Sequence, residues 1–98
     1  MAMNEADDDT SGAAALFRSL GDPSRLAILH HLRLGEHRVV EITEHLGLAQ
    51  STVSKHLASL REQGLVVSRP EGRASVFSLA RPEPLADLLA AAERLRQG

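Results

Sequence analysis

Residues 41–79 read EITEHLGLAQSTVSKHLASLREQGLVVSRPEGRASVFSL, and two changes of pattern within them predict how this part of the chain folds. Up to Gly64 the apolar residues recur at helical spacing, with one break at Gly47. Only residues 48–50 separate the two predicted helices, and helices joined so closely around a glycine must cross steeply, as in a helix-turn-helix. After Gly64 the apolar period falls to two, which predicts a β-hairpin with strands at 65–69 and 74–79 around a turn at 70–73.

Helices are also predicted on both sides of this central unit. Before it, a short amphipathic helix ends at Gly21, and Asp22-Pro23 then supplies an N-cap acceptor and a first-turn proline for a second helix that runs to Leu34. After it, a proline-rich stretch opens a final amphipathic helix. The expected fold is mainly α with a small β-hairpin, in the order α1-α2-α3-α4-β-β-α5, which is a winged helix-turn-helix.

The size of the chain argues for one domain that pairs with a second copy. It has 98 residues and no cysteine, so no disulfide or thiolate metal site stabilises a small core, and an oligomer completes it. Residues 1–10 are small, polar and acidic and are predicted to be a disordered tail, which leaves 11–98 as the folded domain. Apolar stripes on the first and last helices predict a homodimer interface of Leu16, Phe17, Leu20, Leu85, Leu88, Leu89, Ala92 and Leu95.

Several function classes are excluded by what the sequence lacks. No apolar run approaches the roughly 18 residues that a membrane span needs, and the acidic start does not resemble a secretory signal, so the expected location is the cytoplasm. The lack of cysteine excludes thiol nucleophiles and thiolate metal sites. Because the sequence carries no glycine-rich phosphate loop, HExxH motif or enclosed catalytic set, the chain is not expected to be an enzyme.

Charge and side-chain type point to double-stranded DNA as the partner. Four of the 13 carboxylates lie in the first nine residues, so the rest of the chain is mildly basic. A basic patch is more often a plain solvated face, but here it follows a helix-turn-helix and extends into the hairpin. Small hydroxyl side chains let a helix enter the major groove, glutamine reads base edges, and lysine or arginine meets phosphates. The candidate contacts are Gln50, Ser51, Thr52, Ser54 and Lys55 on the second helix of the pair, with Arg69 and Arg73 on the wing.

Residues 17–79 resemble the ArsR/SmtB family of bacterial winged-helix repressors. The resemblance rests on three segments, LGDPSRLAIL at 20–29, QSTVSKHLASLREQGLV at 50–66 and EGR at 71–73. It implies a homodimer that binds an imperfect palindrome in an operator and releases it when an inducer, often a metal ion, binds. Within the family the pattern is most similar to that of actinobacterial cadmium/lead sensors, although their cysteines are missing here.

The positions at which the family binds its inducing metals carry no set of ligands in this chain. Two of the family's sites need cysteines, and the third needs histidines or carboxylates on the last helix, where this chain has arginines. We therefore predict no metal at these positions and no required cofactor. By the resemblance, the three sites fall on Arg38 and Val40, on Ser59 and Gln63, and on Arg81, Glu83, Arg94 and Gln97.

The five histidines leave weak binding of nickel or zinc open, because imidazole binds these ions without a thiol. His30 or His31 could meet His37 across a dimer, whereas His56 is predicted to pack or to contact a phosphate. The first hypothesis is therefore a sequence-specific, operator-binding transcriptional regulator, most simply a repressor. The alternative is a winged-helix interaction module whose signal arrives through a metal-carrying or signalling partner protein.

Overall fold

The computed structural model describes the backbone of residues 5–98 and the side chains of residues 9–98, and this part of the chain forms five helices and one three-stranded sheet. The elements are α1 (Glu5–Leu20), α2 (Pro23–Leu32), β1 (His37–Arg38), α3 (Val39–Leu46), α4 (Gln50–Glu62), β2 (Val66–Glu71), β3 (Ala74–Leu79) and α5 (Pro82–Gln97). Their order confirms the predicted winged helix-turn-helix, with β1 as an additional strand. Within residues 5–98 no helix is both long enough and apolar enough to cross a membrane.

The starts of the central helices follow local capping chemistry. Before α2, the extended backbone of Asp22 lets its Oδ1 accept a hydrogen bond from the N–H of Arg25 at 3.0 Å. Before α3, the N–H of Arg38 donates to Oε1 of Glu41 at 2.7 Å, which satisfies one donor at that helix start. Helix α4 differs, because its N-cap residue Ala49 has no side-chain acceptor.

Two helix boundaries differ from those predicted. Helix α1 begins at Glu5 rather than near Ser11, so residues 5–10 of the expected tail are helical, while residues 1–4 lie outside the described part of the chain. The acidic composition that predicted a tail also suits a helix N-terminus, where the helix dipole favours carboxylates. Helix α2 ends at Leu32 instead of Leu34, and the Leu34 side chain is 78% exposed on the loop that follows.

The hairpin of the wing is longer than predicted. Strands β2 and β3 pair antiparallel as far as Glu71 opposite Ala74, so Pro70 and Glu71 extend the strand instead of forming the turn. The turn consists of Gly72 and Arg73 alone. Because φ is positive at Gly72 (61°) and not at Arg73, the turn matches type II′, which suits the twist of a two-residue hairpin.

Strand β1 turns the predicted hairpin into a three-stranded antiparallel sheet of order β1-β3-β2. Its two residues pair with β3, His37 opposite Phe77 and Arg38 opposite Val76. Opposed residues of antiparallel strands share a face, so Phe77 points with His37 into the core. Val76 lies on the other face between Arg38 and Arg69, and it is only 4% exposed. The two arginines thus cover an apolar residue on the outer face of the wing.

The core joins every helix to the wing. Helix α4 contributes three residues that are at most 1% exposed, and this burial fixes which of its faces is left for other contacts. The buried cluster consists of Leu20, Ile28, Leu29, Leu32, Ile42, Val53, Leu57, Leu60, Val66, Phe77 and Leu85.

Candidate nucleic-acid interface

The turn between α3 and α4 sets the direction of the candidate recognition helix. Gly47 ends α3 in the left-handed conformation, with φ of 68°, and its N–H donates to the carbonyl of Thr43 at 2.9 Å. Leu48 is half-buried and packs against the core, and Ala49 then enters α4 with an extended backbone. Three residues therefore suffice to reverse the chain, which confirms the helix-turn-helix expected from the sequence.

Helix α4 presents a polar face on the side opposite its core residues. The buried side is formed by Val53, Leu57 and Leu60. Of the five predicted contacts on this helix, Thr52 is half-buried and the other four are exposed. The exposed side chains are small or unbranched, and such a surface fits into a major groove. The four exposed residues are Gln50, Ser51, Ser54 and Lys55.

The first turn of α4 offers backbone donors to an anion. The N–H of Val53 makes the first helical bond, to the carbonyl of Ala49 at 3.1 Å. The N–H groups before it meet no side-chain acceptor among the described residues, because Ala49 cannot cap and no acidic residue lies in the first turn. Unpaired N–H groups at the positive end of a helix dipole suit a phosphate.

The tip of the wing adds a positive charge. Arg73 lies in the two-residue turn and is exposed, as is Lys55 on α4. Neither side chain forms an ion pair with the described residues, whose salt bridges all involve other groups. Both charges are therefore available to an anionic partner.

Arg69, the other predicted wing contact, is held by carboxylates of the chain itself. Its guanidinium pairs with Glu36, through Nη2 and also through Nε at 3.3 Å, and its Nη2 lies 3.3 Å from Glu71. Glu71 also accepts from Nη2 of Arg38 at 2.6 Å, and this hydrogen bond lowers the pKa of Glu71. The side-chain hydrogen bond to Glu36 likewise raises the pKa of Arg69. Two arginines and two carboxylates thus balance along the outer half of the wing, up to the pair that flanks the turn, and Arg73 in the turn itself remains unpaired among the described residues.

His56, on the inner flank of α4, is half-buried, and its Nε2 lies 3.9 Å from Oδ1 of Asp22. Asp22 itself caps α2, and the backbone hydrogen bond from Arg25 is the main reason why the pKa of its carboxyl is lowered. Of the two predicted roles for His56, the surroundings favour packing against the start of α2.

The family sensor positions hold no converging ligands in the structure. Arg38 pairs with Glu71, and Val40 is half exposed on α3. The remaining positions lie on α4 and α5 or directly beside them and carry one hydroxyl, two amides, two arginines and one carboxylate, at Ser59, Gln63, Arg81, Glu83, Arg94 and Gln97.

Three histidines meet at one place that no local sequence pattern indicates. His31 contacts His37 within the same chain rather than across a dimer, and His45 stacks on it as well. Burial is the main cause that lowers the pKa of His31, and the neighbouring histidines lower it further against the opposing effect of Glu41. The cluster escaped prediction because its members lie on α2, β1 and α3 and share no sequence spacing.

The predicted dimer stripes are only partly available to a partner. Phe17 and Leu95 are 56% and 84% exposed, and Ala92 is exposed too. Leu20 and Leu85 lie in the core of the chain itself, at 8% and 5% exposure, so they offer almost no surface. The remaining three stripe residues are half-buried against the core, at Leu16, Leu88 and Leu89.

Comparison with known sequences identifies proteins that are related to this chain. The sequence profile of bacterial regulatory proteins of the arsR family matches residues 22–68, from the N-cap of α2 into β2. A probable mercury resistance operon repressor of Streptomyces lividans is 40% identical over 76 residues, which cover 78% of this chain and 60% of that protein. The transcriptional activator HlyU of Vibrio cholerae is 35% identical over 83 residues, 85% of this chain and 77% of that protein. The chain spans between 55% and 60% of the first curated relatives that it matches.

Solved structures share the whole fold. Reduced HlyU matches with a TM-score of 0.78 at 32% identity, over 92% of this chain and 97% of that one. A homodimeric winged helix-turn-helix DNA-binding domain of Mycobacterium bovis, described as a possible ArsR-family transcriptional regulator, matches with a TM-score of 0.83 at 29% identity, over 99% and 91% of the two chains. These relatives are regulators and not enzymes, as predicted. Sequence profile, relatives and fold agree that this chain belongs to the arsR family of bacterial regulatory proteins.

Proposed function

We propose that the chain is a sequence-specific transcriptional regulator that acts in the cytoplasm and binds operator DNA through α4. The observation that carries the proposal is the exposed polar face of α4, which follows a helix-turn-helix and has no side-chain cap at its start. In this reading α4 is the recognition helix and lies in the major groove, with Gln50 and Ser51 nearest the base edges. Arg73 then meets a flanking minor groove or phosphate from the tip of the wing.

Selection of bound sequences from a random DNA library tests sequence-specific binding. With the selected operator, Gln50→Ala should cost about 1–3 kcal/mol of binding free energy, while binding to unrelated DNA changes little. Gln63→Ala is the matched control, because it removes the same exposed amide at the other end of α4. Equal losses on operator and unrelated DNA would contradict base readout by Gln50.

The two unpaired basic side chains should behave differently from Gln50. Lys55→Ala and Arg73→Ala should each weaken binding to all DNA, and each should reduce the slope of log affinity against log salt by roughly one unit. Arg94→Ala removes an exposed charge from α5 and should leave both quantities unchanged. An unchanged salt slope in the first two variants would exclude phosphate contacts by these residues.

We also propose that the regulator is a homodimer joined through α1 and α5. Phe17 and Leu95 are large apolar side chains with high exposure in the single chain, and a two-fold partner would cover them. The homodimeric state of the Mycobacterium bovis domain supports this arrangement. A two-fold dimer would present two copies of α4 to half-sites about 34 Å apart, in keeping with a palindromic operator.

The dimer proposal can be tested without disturbing the core. Leu95→Glu changes a side chain that is 84% exposed, so the folded chain should persist and sediment as a monomer with weakened operator binding. Leu34→Glu is the control, since Leu34 is 78% exposed and follows α2 rather than belonging to α1 or α5. A Leu95→Glu protein that remains a dimer would place the interface elsewhere.

A second candidate function keeps the DNA-binding fold but moves the signal to a partner protein. It is favoured by the absence of converging ligands at the family sensor positions of the described chain. The purified protein distinguishes the two, because a self-sufficient regulator selects one operator with a salt slope of several units. Failure to enrich any sequence would favour the partner-dependent module. The relatives include a named repressor and a named activator. We therefore propose that the position of the operator determines whether the protein represses or activates transcription.

A further inference from the structure

Three imidazole rings from three elements stack at one place beside the recognition unit. His31 on α2 lies in the middle, with its ring centroid 4.1 Å from that of His37 on β1 and 4.2 Å from that of His45 on α3. Glu41 and Glu44, both on α3, line the same shallow depression. Three imidazole rings and two carboxylates therefore share one small volume.

The middle ring lacks the hydrogen bonds that a buried polar group needs. His31 is 8% exposed, and neither its Nδ1 nor its Nε2 has a hydrogen-bond partner among the described residues. Nearly all buried polar atoms in folded proteins are paired, so an unpaired one calls for a missing water, ion or ligand. Burial also lowers the pKa of His31, which favours the neutral ring, the form that binds metals.

The rings of His37 and His45, on either side of His31, can also bind a metal. Nδ1 of His37 lies 2.9 Å from the carbonyl oxygen of Gly35, which can only accept, so Nδ1 carries the proton and the Nε2 lone pair is left available. A backbone carbonyl that fixes the tautomer in this way is the usual outer partner of a metal-binding histidine. His45 is exposed, so its ring can turn without disturbing the core.

We propose that His31, His37 and His45, with a carboxylate from Glu41, form a site for one divalent ion of the nickel and zinc class. Nitrogen ligands about 2.0–2.1 Å from a tetrahedral zinc lie about 3.3 Å apart, and the ring centroids of His37 and His45 lie only 4.1–4.2 Å from that of His31, so rotation of the outer two side chains is the movement that brings the nitrogens together. Among residues 5–98 no three such groups already surround one point, so binding requires these rotations and is micromolar. The site shares no residue with the three sensor positions of the family, and its His37 and Glu41 adjoin one of them, at Arg38 and Val40.

Titration calorimetry with zinc chloride and nickel chloride tests the site on the full chain. We expect one ion per chain with a micromolar dissociation constant for at least one metal, and a rise in the melting temperature with that metal. His45→Gln should weaken binding at least tenfold and remove the thermal shift, and His31→Gln should do the same if it folds. His30→Gln is the control, because His30 is exposed on the same helix and takes no part in the stack.

Three outcomes would overturn the proposal. These are no binding below millimolar metal, His45→Gln binding as tightly as the unaltered chain, or His30→Gln losing as much affinity as His45→Gln. Imidazole ¹⁵N shifts provide an independent readout, since metal should move the resonances of His31, His37 and His45 and leave those of His30 in place. None of these measurements depends on operator binding, so the metal site and the proposed function can fail separately.

Discussion

Ala49 begins the recognition helix without a capping side chain, and substitutions at this position separate the stability of α4 from its contact with DNA. The residue has the extended backbone of an N-cap, with φ of −65° and ψ of 143°, and it is exposed, so a longer side chain has room. In Ala49→Ser the hydroxyl can accept a hydrogen bond from an N–H in the first turn. The gain should be about 1 kcal/mol of unfolding free energy, which raises the melting temperature by about 4–8 °C in a domain of this size.

Ala49→Asp should stabilise the isolated protein to a similar or greater extent, because the carboxylate also interacts with the helix dipole. Its effect on DNA should be the opposite, since it places a negative charge where we expect a phosphate. Operator affinity should fall, and the salt slope should drop by roughly one unit, whereas Ala49→Ser should bind within a few-fold of the unaltered protein.

Thermal unfolding and fluorescence anisotropy across a salt series measure the two effects. Ala58→Ser, in the exposed middle of α4, is the control for stability and should lower the unfolding free energy by about 0.5 kcal/mol, because serine is a poorer helix former there. Equal DNA binding by Ala49→Ser and Ala49→Asp, with the same salt slope, would refute a phosphate contact at the start of α4. An unchanged melting temperature in both would refute the uncapped start.

Three further predictions concern stability and can be measured by denaturant unfolding. Arg25→Ala should cost about 2 kcal/mol, because the guanidinium donates to the carbonyls of Ser19 at 2.6 Å and Arg18 at 2.9 Å at the end of α1; a loss of a few tenths would contradict this role. Gly72→Ala should cost about 1–2 kcal/mol, since the positive φ strains an alanine although space is open, and an unchanged stability would argue against the type II′ turn. With EDTA present, the free energy of unfolding should fall as the pH drops below about 6.5, because the pKa of His31 is lowered in the folded chain and the unfolded chain therefore binds the proton more readily. His31→Leu should reduce the slope of this free energy against pH by at most about 1.4 kcal/mol per pH unit. An unaltered slope would contradict the lowered pKa of His31.

The parts of the fold that the sequence predicted correctly depend on local pattern. The break at Gly47, the apolar spacing of α4 and the alternation after Gly64 are each visible within a dozen residues, because periodicity and turn chemistry are local. The same reasoning identified Gln50 and Arg73 as surface groups, since their neighbours define which face is buried.

The features that escaped prediction depend on contacts between distant residues. Strand β1 has only two residues, too few for a period, and exists because β3 lies beside it. The sequence shows the charge of Arg69, which stays a predicted DNA contact, but not its pairing with Glu36, which lies 33 positions away. Leu20 and Leu85 counted as interface residues because a helical stripe does not reveal how much of it the chain's own core covers.

The salt bridges of the wing have a consequence for the specificity of the DNA binding that we propose. Arg38 is the last residue of β1 and also the residue that precedes α3, so its bond to Glu71 ties the hairpin to the start of the helix-turn-helix. In the proposed complex the wing tip and the recognition helix then approach DNA as one rigid unit. The distance and angle between them are set before the protein meets the DNA. A rigid binder loses less conformational freedom on association, and it accepts only duplexes whose adjacent grooves already match that distance and angle or bend to them at modest cost.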